Sequence, residues 1–78
     1  MMKTIFVFLA DGFEEIEAIT PIDVLRRAGL NVQTISVMEE QIVAGAHGIP
    51  VVADKMFADI QLDDAEMLLL PGGLPGAT

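Results

Sequence analysis

Thr4-Ile5-Phe6-Val7-Phe8-Leu9-Ala10-Asp11-Gly12-Phe13-Glu14-Glu15-Ile16-Glu17 decides the fold. The run from Thr4 to Leu9 is almost continuously apolar, the signature of a parallel strand buried on both faces. It breaks at Asp11-Gly12 and turns directly into a helix that opens with three carboxylates. In open α/β sheets, ligands bind outside the carboxyl ends of the strands. This acidic turn lies at such an end, so it is where a site is expected.

The helix is predicted over about residues 14–28. Asp11 with Glu14 three residues later resembles a capping box. Arg26 and Arg27 fall in the last turn, where cations suit the helix dipole, and Gly29 is a plausible stop. Pro21 cannot donate to the carbonyl of Glu17. Either one kinked helix passes through it, or Thr20 caps a second helix with Pro21 at its first position. The single kinked helix is the expected one.

At 100° per residue, Glu17, Pro21, Val24 and Ala28 form one stripe, flanked by Ala18 and Leu25. Glu17 is therefore expected on the inward, apolar face. Ile16 and Ile19 fall among charges on the outer face. They are either scattered surface apolars or a partner surface.

A second strand is expected over about residues 31–38, completing a right-handed βαβ unit. Ile42-Val43 and Ile49-Pro50-Val51-Val52 flank Gly45-Ala46-His47-Gly48 and read as a small hairpin at the sheet edge, where Pro50 is tolerated. Residues 56–64 read as irregular with one helical turn. Met67 to Leu70 reads as another buried strand, ending at Pro71-Gly72-Gly73.

Composition narrows the function. The chain has 78 residues, 53% hydrophobic, without cysteine. A chain of this length buries only ~60% of its unfolded surface. So much apolar material implies a partner surface or further sequence. A net charge of −8 argues against nucleic-acid or anionic-membrane binding. No apolar run approaches the ~20 residues of a membrane span. Residues 1–10 faintly resemble a signal peptide, but an acidic helix follows without a small-residue cleavage site. The chain reads as soluble and cytoplasmic.

Glu17 is the sharpest chemical candidate, because a desolvated carboxylate at a strand end can exchange protons near neutrality. The plainer reading is an ordinary first-turn Glu. Glu14 and Glu15 read as dipole and capping residues. Gly72 and Gly73 could bring backbone N–H groups to an anion or oxyanion, or could simply allow a tight turn. His47, the only histidine, reads as structural or interfacial. Asp54, Asp59, Asp63 and Asp64 do not match a calcium loop and read as solvated. No metal or cofactor is expected.

Four segments resemble the start of ThiJ/PfpI (DJ-one) superfamily proteins. They are Leu9 to Ala18, Pro21 to Gly29, His47 to Asp54, and Leu68 to Gly73, in matching order and spacing. The resemblance implies a flavodoxin-like α/β sandwich of three layers with a mainly parallel sheet. Residues 1–78 would be its amino-terminal part: strand, helix, strand, edge hairpin, strand. It also implies a catalytic Cys at a nucleophile elbow beyond this segment. Glu17 would be the proton partner of that Cys, and the backbone N–H of Gly73, next to Gly72, would be the oxyanion donor. A homodimer through the first helix is implied, with Ile16, Ile19, Asp23, Arg27 and His47 near the seam.

The activities attributed to such proteins include glyoxalase, deglycase, amidase or peptidase, thiazole-monophosphate biosynthesis and redox-regulated chaperoning. The motifs do not choose among them. Small carbonyl or acyl compounds are the substrates implied. Without the Cys these residues alone cannot run the chemistry; they would be an inactive half-domain, stable only by association.

Overall fold

The computed structural model describes residues 3–72. Strand β1, Thr4–Leu9, is followed by helix α1, Glu15–Arg27, and strand β2, Val32–Ser36. Strands β3, Ile42–Ala44, and β4, Pro50–Val52, form a hairpin. Strand β5, Lys55–Met56, leads through two 3-10 turns, Phe57–Asp59 and Leu62–Asp64, into strand β6, Ala65–Leu69.

The main sheet has the order β5-β2-β1-β6, and every pairing in it is parallel. The unbroken apolar run of β1 is explained by its place: it is paired on both sides. Ile5, Val7 and Leu9 point to one face and pack with Phe13, Ala18, Ile22, Val32 and Val43. Full burial of side chains such as Val7 and Leu9 contributes about 1.5–3 kcal/mol each. Phe6 and Phe8 point to the opposite face. There the rings of Phe8 and Phe57 lie 6.0 Å apart. An apolar cavity of ≈ 210 Å³ opens on this face, lined by Phe8, Phe13, Val37, Phe57 and Leu70 among others.

Helix α1 is a single helix through Pro21. It ends in a Schellman motif: Leu30 N–H donates to the Leu25 carbonyl and Gly29 N–H to that of Arg26. Gly29 takes φ +83°, the left-handed conformation the motif requires.

Several sequence expectations are corrected. The N-cap is Glu14, whose Oε1 accepts from the backbone N–H groups of Ile16 (2.8 Å) and Glu17 (3.1 Å). Asp11 instead accepts from Ala44 N–H. The buried stripe of α1 is Glu15, Ala18 and Ile22, with Leu25 half-buried, so the helix is rotated from the expected setting and Glu17 is exposed. The hairpin is not an edge of the main sheet but a sheet of its own. It sits on the β1–α1 turn, with Gly12 N–H donating to the Ala44 carbonyl and Ala46 N–H to that of Phe13. The sheet edge belongs to β5, Lys55–Met56, which opens the stretch expected to be irregular. Strand β6 is not buried on both faces. It is the other edge, and Met67 and Leu68 are each 48% exposed.

Asp54 is not merely solvated. Its Oδ2 accepts from Thr34 N–H (2.9 Å), Thr34 Oγ1 (3.1 Å) and Arg26 Nη2 (2.7 Å). Arg26 also donates to the Val32 carbonyl. These bonds tie the end of α1 to β2 and to the segment after the hairpin. Replacing Asp54 with Ala leaves the Thr34 N–H, in a buried residue, without an acceptor. The expected loss is about 2 kcal/mol of stability, read as a lower urea midpoint at unchanged slope. Arg26→Ala, removing the half-exposed partner, is expected to cost less.

Candidate active site at the strand ends

Chain direction sets the site. Strand β1 and strand β6 run parallel, so both carboxyl ends open at one edge of the sheet. Gly12, at φ +90°, lets the chain leave β1 in a tight turn. Phe13 is buried beneath that turn, and α1 begins two residues later. Successive helical residues turn by 100°, so Glu15 and Glu17 point in different directions, while Glu14, the extended N-cap, folds its side chain back onto the first turn.

Glu14 caps the helix, and its own N–H donates to the Gly72 carbonyl at 2.6 Å. Glu17 Oε1 accepts from Gly72 N–H at 2.9 Å. Both backbone groups of Gly72 are thus held by the start of α1. A Cβ at Gly72 would run into the tip of the Glu17 carboxylate, so a larger residue there would displace that side chain. Glu17, Ala18, Pro21 and the exit of β6 line a cleft of ≈ 160 Å³. The expected pairing of the acidic turn with the glycine turn is therefore present at Glu17 and Gly72. Gly73 lies outside the described residues.

Glu15 turns the other way. Its side chain is only 7% exposed. Oε2 accepts from the backbone N–H groups of His47 (2.8 Å) and Ile49 (3.3 Å), and Oε1 lies 2.8 Å from His47 Nδ1. Gly45 packs directly against this carboxylate, where a Cβ would collide with it. Burial pushes the Glu15 carboxyl up, but the His47 side chain and the surrounding backbone N–H groups outweigh it and hold the group at about 2. The hydrogen bond and charge of Glu15 raise His47.

Glu15, a dipole residue on the sequence pattern, is instead a buried carboxylate of the site. The missing signal was the spacing of Glu15, Ala18, Ile22 and Leu25, a regular stripe once a carboxylate is allowed in it. His47 does not join Glu17; its neighbours are Glu15 and, at 3.5 Å, Glu14. Ile16 and Ile19 are exposed on the outer face of α1, as expected. Asp23 and Arg27 pair there at 3.3 Å. No helix among the described residues is long and apolar enough to cross a membrane.

Comparison with known proteins agrees with this architecture. Residues 3–78 match the DJ-1/PfpI family. Protein DJ-1 homolog A of Arabidopsis thaliana is 43% identical over 95% of the chain, which spans 19% of that protein. Protein dj-1beta of Drosophila melanogaster is 36% identical over 99% of the chain, or 41% of its own length. Among solved structures, a DJ-1 superfamily protein of Salmonella typhimurium, a cysteine-to-alanine mutant, aligns with a TM-score of 0.90 at 43% identity, covering 96% of this chain and 40% of that one. Oxidized Toxoplasma gondii DJ-1 gives 0.90 at 39% identity, covering 95% and 40%. The chain thus spans less than half the length of these relatives, and its sheet and helix follow their flavodoxin-like fold.

The Glu15–His47 pair has a defined pH signature. Glu15 is lowered from 4.5, so its contribution is complete above 4.5 and is lost as pH falls through about 2. His47 is raised from 6.5, so its contribution is complete below 6.5 and is lost as pH rises through its folded value. Both are complete between 4.5 and 6.5. The stability difference between wild type and His47→Gln, measured by urea unfolding with EDTA present, is expected to be largest in that window and to shrink by pH 9. A difference that stays flat from pH 5 to 9 contradicts the pairing.

Proposed function

The chain belongs to the DJ-1/PfpI family, and we propose that it supplies half of a cysteine-dependent active site acting on small carbonyl or acyl compounds. Residues 1–78 are the amino-terminal part of one α/β domain in this reading. The nucleophilic Cys comes from sequence beyond these residues, on a strand-to-helix turn. Glu17 takes the thiol proton, leaving the thiolate that attacks the carbonyl carbon. The N–H of Gly73 then stabilises the developing oxyanion, and Gly72 shapes the turn that presents it.

The observation that carries the reading is the Glu17–Gly72 contact. The Gly72 N–H holds the Glu17 carboxylate at 2.9 Å where two parallel strands end, which sets the proposed proton partner beside the glycine turn. Glu15 is unsuited to that proton role. Held at about 2, it stays ionised across the neutral range. The relatives lend support through their chemistry: one solved structure is a cysteine-to-alanine mutant and another is an oxidized protein.

The reading is tested on the complete protein with methylglyoxal as substrate. Glu17→Gln is expected to lower turnover about 10²-fold or more, the usual worth of a placed acid–base group. The thiolate fraction, measured by the pH dependence of iodoacetamide alkylation, should shift with it. Unchanged turnover and an unchanged alkylation profile overturn the role given to Glu17.

A second feature favours association. The outer face of α1 carries Ile16, which is 70% exposed, and Ile19, with the Asp23–Arg27 pair continuing the same stripe. We infer that a homodimer forms across this face in a cytoplasmic protein, with His47 near the seam. Ile16→Asp places a charge in that seam. Sedimentation of the complete protein should show a dimer for wild type and a monomer for the variant. A monomeric wild type, or a variant that remains dimeric, rules this out.

A further inference from the structure

We propose that Glu14, Glu15 and His47 form a binding site for a divalent transition-metal ion of the zinc type, where the β3–β4 turn meets the start of α1. The three side chains offer one ligand atom each, all within 4.8 Å of one another. His47 Nδ1 lies 2.8 Å from Glu15 Oε1 and 3.5 Å from Glu14 Oε2. Ligand atoms on a tetrahedral zinc ion, at its usual N and O bond lengths, are separated by about 3.4 Å. The His47–Glu14 distance already matches that spacing, the His47–Glu15 distance must lengthen, and the two carboxylates lie within 4.8 Å of each other.

The carboxylates are already oriented for the task. Glu14 uses Oε1 for the N–H groups of Ile16 and Glu17 and turns Oε2 toward His47. Glu15 uses Oε2 for the N–H groups of His47 and Ile49 and turns Oε1 toward the same imidazole nitrogen. Each carboxylate is thus fixed through one oxygen by backbone donors while the other faces the common point. Backbone donors behind the ligands are the arrangement that holds metal-binding side chains in place.

Charge and ligand type define the ion. Two carboxylates and a neutral imidazole balance a divalent cation. The imidazole nitrogen favours zinc-like ions over magnesium or calcium, which take oxygen ligands. The metal takes the place of the proton on Nδ1, and Nε2 keeps or receives the ring's remaining proton. Three protein ligands leave a fourth position for water. The site adjoins the Glu17–Gly72 contact through Glu14, but its three ligands do not line that cleft and it does not depend on the function proposed there.

The test uses the complete protein and zinc itself, titrated in competition with a chromogenic chelator at pH 7.5. One equivalent per chain is expected, and cobalt(II) in its place should give the visible absorption of a four-coordinate site. Disturbing a group behind a metal ligand typically costs 10–100-fold in affinity. His47→Gln and Glu14→Gln each remove a ligand and should therefore cost at least about tenfold, whereas Glu39→Gln should change nothing. In the unaltered protein, the backbone amide NMR signals of His47 and Ile49 should move on zinc addition, a readout independent of how the variants fold. Absence of zinc binding, equal affinity in His47→Gln, or zinc binding that leaves both amides unmoved overturns the site.

Discussion

A carboxylate buried at the start of α1 fixes the arrangement of everything around it. An ionised side chain removed from water is tolerated only when its oxygens are hydrogen-bonded. Glu15 meets that demand with two backbone N–H groups and the ring of His47, all from the β3–β4 turn. The hairpin is therefore not free to pair at an edge of the main sheet. It is held over the β1–α1 turn, where Gly12 and Phe13 complete the contact through the backbone. With the hairpin in place, the turn of helix that carries Glu14 and Glu17 is fixed as well, and Gly72 is drawn against it.

This constraint also explains which parts of the fold were legible in the sequence. The run from Thr4 to Leu9 announces a strand paired on both sides, because alternation is absent only when both faces are covered. Gly29 announces the helix stop, since the Schellman motif needs a left-handed residue. That the acidic turn and the glycine turn share one end of the sheet was legible too, because parallel strands must end on the same side. The setting of α1 was not. A helical wheel assigns carboxylates to water, and Glu15 occupies a buried position because of partners 32 and 34 residues away. The role of Asp54 is hidden for the same reason: it accepts from Thr34 and Arg26, which lie far away in sequence. Strand β5 has two residues, too few for any periodicity to register.

The apolar excess of the chain has a location. On the sheet face away from α1, Phe8, Val37, Phe57 and Leu70 surround an open apolar cavity. Strand β6 adds half-exposed Met67 and Leu68 along an edge that no strand pairs among the described residues. A parallel sheet is stable when both faces are covered. The longer relatives contain more than twice this length of chain, enough to supply strands beyond β6 and a second helical layer. In the reading proposed above, the exposed apolar surface is the side that further chain would cover, and the covered side is the one that carries the carboxylates.

Three acidic residues in one helical turn look redundant, yet their surroundings divide the work. Glu14 closes the helix and keeps one oxygen free. Glu15 is held ionised near the hairpin, which suits it to bind a cation and disqualifies it from donating a proton near neutrality. Glu17 is exposed, with Gly72 N–H as its partner at the mouth of the cleft. Glu17 is held by that single donor, whereas both oxygens of Glu15 are engaged by the hairpin. The division follows from the 100° step of the helix. Only the third carboxylate points along the exit of β6, so the proton chemistry proposed at the strand ends falls to Glu17 and not to its neighbours.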